Sequence, residues 1–108
     1  KKARAEVIEA ATIYATEVPL LVMETACDSM EVMMAMAEGG LQNSLSDAGV
    51  GALCARTAVY GAYFNVRINA KDIKNRDIAE SLLGKAKLIF DKTLATENEM
   101  IAYINKKI

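Results

Sequence analysis

The sequence predicts an all-α fold: a bundle of about four helices with a small-residue central helix. Three observations carry this. One Pro and six Gly in 108 residues leave few breaks for a strand-and-turn fold. Apolar residues recur at three- and four-residue steps through most of the chain. One long run, starting at Ser46-Asp47, is built almost wholly of Ala, Gly and other apolar residues. A chain of this length makes one domain, residues 1–108.

The first helix runs from about Lys2 to Thr16. Ile8, Ala11 and Ala15, flanked by Val7 and Tyr14, make its apolar face. Pro19 ends or kinks it, since proline has no N–H and its ring would clash with the Ala15 carbonyl. The second segment runs from about Val18 to Glu38. Met23, Ala26, Cys27, Met30, Met33, Met34 and Ala37 fall on one face, which reads as a core with flexible fillers. Glu24, Asp28, Glu31 and Glu38 gather opposite, as a solvated face.

Gly39 and Gly40 end that helix, because glycine tolerates the left-handed conformation common at helix C-termini. A short polar loop follows. The third helix starts at Ser46-Asp47, whose side chains can satisfy free backbone N–H groups, and extends to about Asn69. It is apolar on nearly every side, which marks a buried helix. Gly49, Gly51 and Gly61 each cost about 1 kcal/mol of helix propensity against Ala. Close approach of another backbone would account for them. Asn65 and Asn69 share a face as interhelical links or ligand contacts. After a polar connection from Ala70 to Asn75, the fourth helix runs from about Arg76 towards Lys106. Ile78, Leu82, Leu83, Ala86, Ile89, Phe90 and Leu94 mark its core face, continued by Met100, Ile101 and Ile104, with Gly84 as a weak point.

Composition excludes several functions. Net charge is −1, so there is no electrostatic case for nucleic acid. With no His there is neither an imidazole base nor the usual zinc site. Cys27 and Cys54 follow no ligand spacing and read as small buried hydrophobes in a reducing, cytoplasmic compartment. Arg56 interrupts the apolar run too early for a membrane span of ~20 residues. The opening Lys-Lys-Ala-Arg shows no signal peptide, no initiating Met and no helix cap, which reads as part of a longer protein.

Three segments add a resemblance: Val18-Pro19-Leu20, then Asn43-Ser44-Leu45-Ser46-Asp47-Ala48-Gly49-Val50, then Gly61-Ala62-Tyr63-Phe64-Asn65-Val66-Arg67-Ile68-Asn69. In order and spacing they resemble the cyclodeaminase/cyclohydrolase family of folate enzymes. The likeness runs from about Ala5 to Phe90 and corresponds to the C-terminal half of such a domain. The family's Gly-rich N-terminal half has no counterpart. Where members carry Gly-Asn-x-Asn before Ser-Asp, this chain has Gly40, Leu41, Gln42 and Asn43.

The resemblance implies folate one-carbon chemistry. Cyclodeaminases close 5-formimidoyltetrahydrofolate to 5,10-methenyltetrahydrofolate with loss of ammonia; cyclohydrolases hydrate the methenyl compound to 10-formyltetrahydrofolate. Both pass through a cationic centre and a tetrahedral carbon. No metal or redox cofactor is implied, and the tetrahydrofolate derivative, polyglutamylated forms included, is the substrate. The implied protein partner is a second copy or the missing half.

Asp47 is then the catalytic candidate, stabilising the cation or relaying a proton; its alternative is a helix-start acid. A place in the first turn would favour its charged form. Ser46 reads as an N-cap rather than a nucleophile, with no base to activate it. Asn43 and Asn65 could read pterin groups or make loop and interhelix bonds, and Asn69 belongs with them. Arg67, with Lys71, Lys74 and Arg76, could meet the folate glutamate tail or simply complement a helix C-terminus. Three classes stay open: a folate enzyme, a catalytically inactive folate-binding or dimerisation fragment, and an unrelated helical module.

Overall fold

The computed structural model describes residues 1–40 and 42–108. Among these, the chain forms three long helices: α1 (Lys2–Gly39), α2 (Gln42–Ala70) and α3 (Arg76–Lys107). They lie side by side in a rod of 61 × 17 × 16 Å. Its radius of gyration is 17.3 Å, against about 13 Å for a compact chain of this size. None of the helices is long and apolar enough to cross a membrane.

There are three helices rather than four because α1 runs unbroken through Pro19. Proline has no N–H, so the Ala15 carbonyl loses its helical donor. Asn69, near the end of α2, supplies one: its Nδ2 donates to the Ala15 oxygen at 2.9 Å. The bond that the helix lacks is made from another helix.

The core is a narrow seam of small and flexible side chains. Met23, Val59, Val66 and Ile73 are almost fully buried along half the rod. Met30, Ala52 and Met100 continue it, and Leu45, Ala48 and Ile104 close it. The methionine face of α1 and the Leu82–Ala86–Met100–Ile104 stripe of α3 therefore lie inside, as their spacing predicts. Gly84 does not interrupt α3. Ile78 sits at the edge of exposure.

The first half of α1 is a correction. Val7, Ile8 and Tyr14 are exposed, as are Ala11 and Ala15; Thr16 and Leu20 are buried instead. The periodicity is real, but its apolar side faces outward. The stripe continues along α1 through Val18, Leu21, Val22, Val32 and Met36, all exposed.

The central helix is a second correction. It is buried along one stripe only, with Val50, Leu53, Phe64 and Ile68 exposed. Cys27 is buried as expected, but Cys54 is exposed. Gly51 makes room for the Met33 sulfur, where a Cβ would collide, so the close neighbour is a side chain and not a backbone. A Cβ at Gly61 would meet nothing.

α1 ends at Gly39 and α2 begins at Gln42. Gly40 caps α1 in an extended conformation, φ −95° and ψ 177°, and no described glycine has positive φ. Glycine is needed there for space: a Cβ would strike the Met36 carbonyl oxygen and the Ser44 side chain. The Leu41 position, where the family pattern has Asn, lies outside the described residues. At the other turn, the Asn75 side chain accepts from the N–H groups of Asp77 and Ile78 and caps α3.

Candidate functional site

All six sequence-predicted site residues lie on α2. Because α2 begins at Gln42, Ser46 and Asp47 sit beyond its first turn. Ser46 is therefore no N-cap, and Asp47 lacks the full benefit of the helix dipole. Asn43 and Asp47 stand four residues apart, on one face, and both are exposed together with Ser46. Among the described residues Asp47 forms no ion pair.

The second group lies farther along. Eighteen residues separate Asp47 from Asn65, about 27 Å of helix at 1.5 Å per residue. Asn65 is exposed and lies on the same side of α2 as Asp47, reached in three- and four-residue steps through Val50, Cys54, Ala58 and Gly61. Asn69 is half-buried, with its amide committed to Ala15. That commitment is the interhelical alternative for this side chain. Within one chain the Asp47 and Asn65 groups are too far apart to converge on one small reacting centre.

Arg67 lies off this face, with its guanidinium 5.3 Å from the Tyr63 ring centroid. With Phe64, Ile68 and Lys71 it lines an open cleft of about 230 Å³. Ligand sites that enclose a drug-sized molecule run to roughly 300–1,000 Å³. The cleft can hold a carboxylate or ring edge, not a whole pteridine with its tail. Arg76 is used elsewhere: it donates to the Ala70 and Ile73 carbonyls at 3.0 and 2.9 Å and pairs with Glu80 at 3.5 Å. It complements the C-terminal end of α2, as its alternative reading has it.

Glu9 was not singled out by sequence. Its two carboxylate oxygens accept the N–H groups of Lys74 and Asn75, each at 2.8 Å. These two bonds hold its carboxyl below the ordinary glutamate range. They also fix the α2–α3 turn against α1. No local pattern could reveal a pairing across 65 residues.

Chemically, the Asp47 region offers an accessible carboxylate beside amide and hydroxyl groups on a face otherwise bare and apolar. In open water a carboxylate gains little from pairing with a cation. Covering the face would make the same charge far more effective. Among the described residues, no group of three His, Cys, Asp or Glu side chains could hold a metal ion.

Comparison with known proteins finds a match, over residues 1–88, to the family described as formiminotransferase-cyclodeaminase. The chain is 32% identical over 108 residues to a methenyltetrahydrofolate cyclohydrolase of Methylorubrum extorquens, covering all of this chain and 52% of the relative. It is 40% identical over 80 residues to the formimidoyltransferase-cyclodeaminase of Rattus norvegicus, covering 68% of this chain and 15% of that protein. The Sus scrofa counterpart is 33% identical over 108 residues, with coverage of 90% and 20%. The chain thus spans about half the length of the cyclohydrolase and a smaller share of the longer proteins.

Proposed function

This chain belongs to the formiminotransferase-cyclodeaminase family, and from that membership we propose that it contributes the Asp47-bearing part of a folate site of cyclodeaminase or cyclohydrolase type. One observation carries the reading. Asp47 and Asn43 share an exposed face inside the matched span, and the ion pairs of the described fold do not use Asp47.

In this reading Asp47 stabilises the cationic formimidoyl or methenyl centre through its charge and passes a proton to or from the tetrahedral carbon's substituent. Asn43 and Ser46 meet the pterin edge. Asn65 and the side-chain oxygen of Asn69, whose Nδ2 is taken up by Ala15, take amide groups farther along α2. Arg67, with Lys71, receives a carboxylate of the glutamate tail. The cover that dries the site comes from a second copy or from the rest of a longer domain.

The test offers the protein 5-formimidoyltetrahydrofolate and 5,10-methenyltetrahydrofolate and follows the methenyl chromophore. Asp47→Asn is expected to abolish turnover with circular dichroism unchanged. Full activity in that variant removes Asp47 from the mechanism. The small, open Arg67 cleft favours a second reading, a folate-binding chain without catalysis. That reading gives stoichiometric folate binding by calorimetry and no change in the chromophore.

A further inference from the structure

We infer that residues 2–15 of α1 form an arm, hinged at residues 16–19 and latched to the α2–α3 turn by Glu9, so that loss of the Glu9 charge releases the arm while the rest of the bundle stays folded. Three observations carry this: the packing of the arm, the helix ladder at its root and the geometry of the latch.

The arm has little core of its own. Residues 2–15 are exposed or half-buried, and Thr16 is the first buried residue of α1. Ile13 is the arm residue that packs against the core around Met23 and Val59. At the helical rise of 1.5 Å per residue the arm is about 21 Å long. Helices shorter than roughly 15 residues are marginal in water when nothing covers them. Burial therefore does not hold the arm in place.

The ladder is weakest where the arm joins the bundle. Pro19 gives the Ala15 carbonyl no N–H. The Thr16 hydroxyl donates to the Thr12 carbonyl and the Thr12 hydroxyl to the Ile8 carbonyl, each at 2.8 Å. Hydroxyls that bond back along a helix in this way loosen and bend it. Asn69 holds the Ala15 oxygen from α2 at 2.9 Å and marks the pivot.

Beyond the pivot, Glu9 reaches across to the turn. Its two oxygens accept the N–H groups of Lys74 and Asn75, each at 2.8 Å, and Asn75 is also the cap of α3. Open clefts flank this contact. One of about 180 Å³ is lined by Arg4, Ile8 and Asp72, the other of about 430 Å³ by Glu6, Ala10 and Ile13, and Glu9 and Lys74 border both. The charged groups around Glu9 are Lys1, Lys2, Arg4 and Glu6 from its own segment and Asp72 and Lys74 from the turn.

As a carboxylate, Glu9 accepts both N–H groups. On protonation one of its oxygens becomes a hydroxyl donor facing an N–H, so one bond is lost and the other weakens with the charge. The same two bonds hold the carboxyl below the ordinary glutamate range, which puts release on the acid side of that range.

The inference stands apart from the folate reading, and amide hydrogen exchange of the full chain tests it. At neutral pH, Glu9→Gln is expected to lower the protection of the arm amides by about tenfold or more, the worth of one hydrogen bond to a charged group. Protection around Met23 and Val59 is expected to stay unchanged. Acidifying the wild type below the glutamate range is expected to do the same, once the intrinsic exchange rate is corrected for. Glu6→Gln removes a neighbouring charge of the arm and neither bond, and is expected to keep wild-type protection. Wild-type arm amides without protection at neutral pH overturn the proposal as a whole. Arm amides as protected in Glu9→Gln as in the wild type overturn the latch. Protection lost equally around Met23 and Val59 overturns the hinge. An equal loss in Glu6→Gln overturns the two bonds as its cause.

Discussion

The side-chain amide of Asn69 donates to the carbonyl oxygen of Ala15, the oxygen that Pro19 leaves without a backbone donor. Two of the family-like segments, Val-Pro-Leu and the Asn that ends Asn-Val-Arg-Ile-Asn, are thereby joined in one structural unit. A hydrogen bond to an exposed carbonyl such as that of Ala15 is worth on the order of 1 kcal/mol or less, because water can take the place of a lost donor. Asn69→Ala is expected to lower stability by about 0.5–1 kcal/mol in urea unfolding. In a Pro19→Ala background the loss should shrink, because the restored backbone N–H at that position then serves Ala15 from within the helix. Equal losses in both backgrounds would refute the coupling.

Glu9 ties the α2–α3 turn to α1 through two backbone N–H groups, and those bonds depress its pKa. A carboxyl whose folded pKa is depressed contributes stability above its unfolded value and loses it as pH falls through the folded one. Acidification below the ordinary glutamate range should therefore weaken the wild type more than Glu9→Gln. Thermal unfolding at neutral and acid pH measures this. A wild-type-like acid slope in the variant would exclude Glu9 as the source.

Gly84 lies inside α3, more than two turns from its start, exposed, with open space where a Cβ would stand. Gly84→Ala is expected to stabilise the chain by about 0.5–1 kcal/mol, through helix propensity and a less free unfolded chain. Gly51→Ala should gain little, since its Cβ must first push the Met33 sulfur aside. Paired denaturation curves separate the two; equal gains would show that Met33 yields at no cost.

Asp47 is exposed and lies beyond the first turn of α2. Asp47→Asn should change the stability of the monomer by no more than about 0.5 kcal/mol, the usual range for surface sites. Cooperative loss of helix on that single change would show a structural role instead. Combined with the turnover assay, this measurement separates chemistry from folding at one residue.

The all-α class, the methionine face of α1 and the α3 stripe were legible because each is a local pattern with a period. The outward stripe at Val7, Ile8 and Tyr14 was legible as apolar but not as exposed, since periodicity reveals a face and not what covers it. Continuity through Pro19 was hidden: the compensating donor is 54 residues away. The start of α2 at Gln42 was hidden too, because Ser46 and Asp47 offer capping chemistry that the helix, begun earlier, does not use. The six candidate site residues named from the sequence all fall on α2. The separation of Asp47 from Asn65 followed already from the single helix expected between Ser46 and Asn69; that Asn43 stands on the same helix did not, because its segment reads as a polar loop.

A rod 61 Å long and about 17 Å across has room for only one layer of core at each level. The cluster around Met23 and Val59, the one around Met30 and Met100 and the one around Leu45 and Ile104 succeed one another along the axis, with no second shell behind them. Amide exchange should thus be graded by distance from the tips, slow at mid-rod and fast at both ends. Damage would travel along the axis and not across it. Such a molecule behaves as a column of stacked courses, in which each course steadies only the one above and the one below.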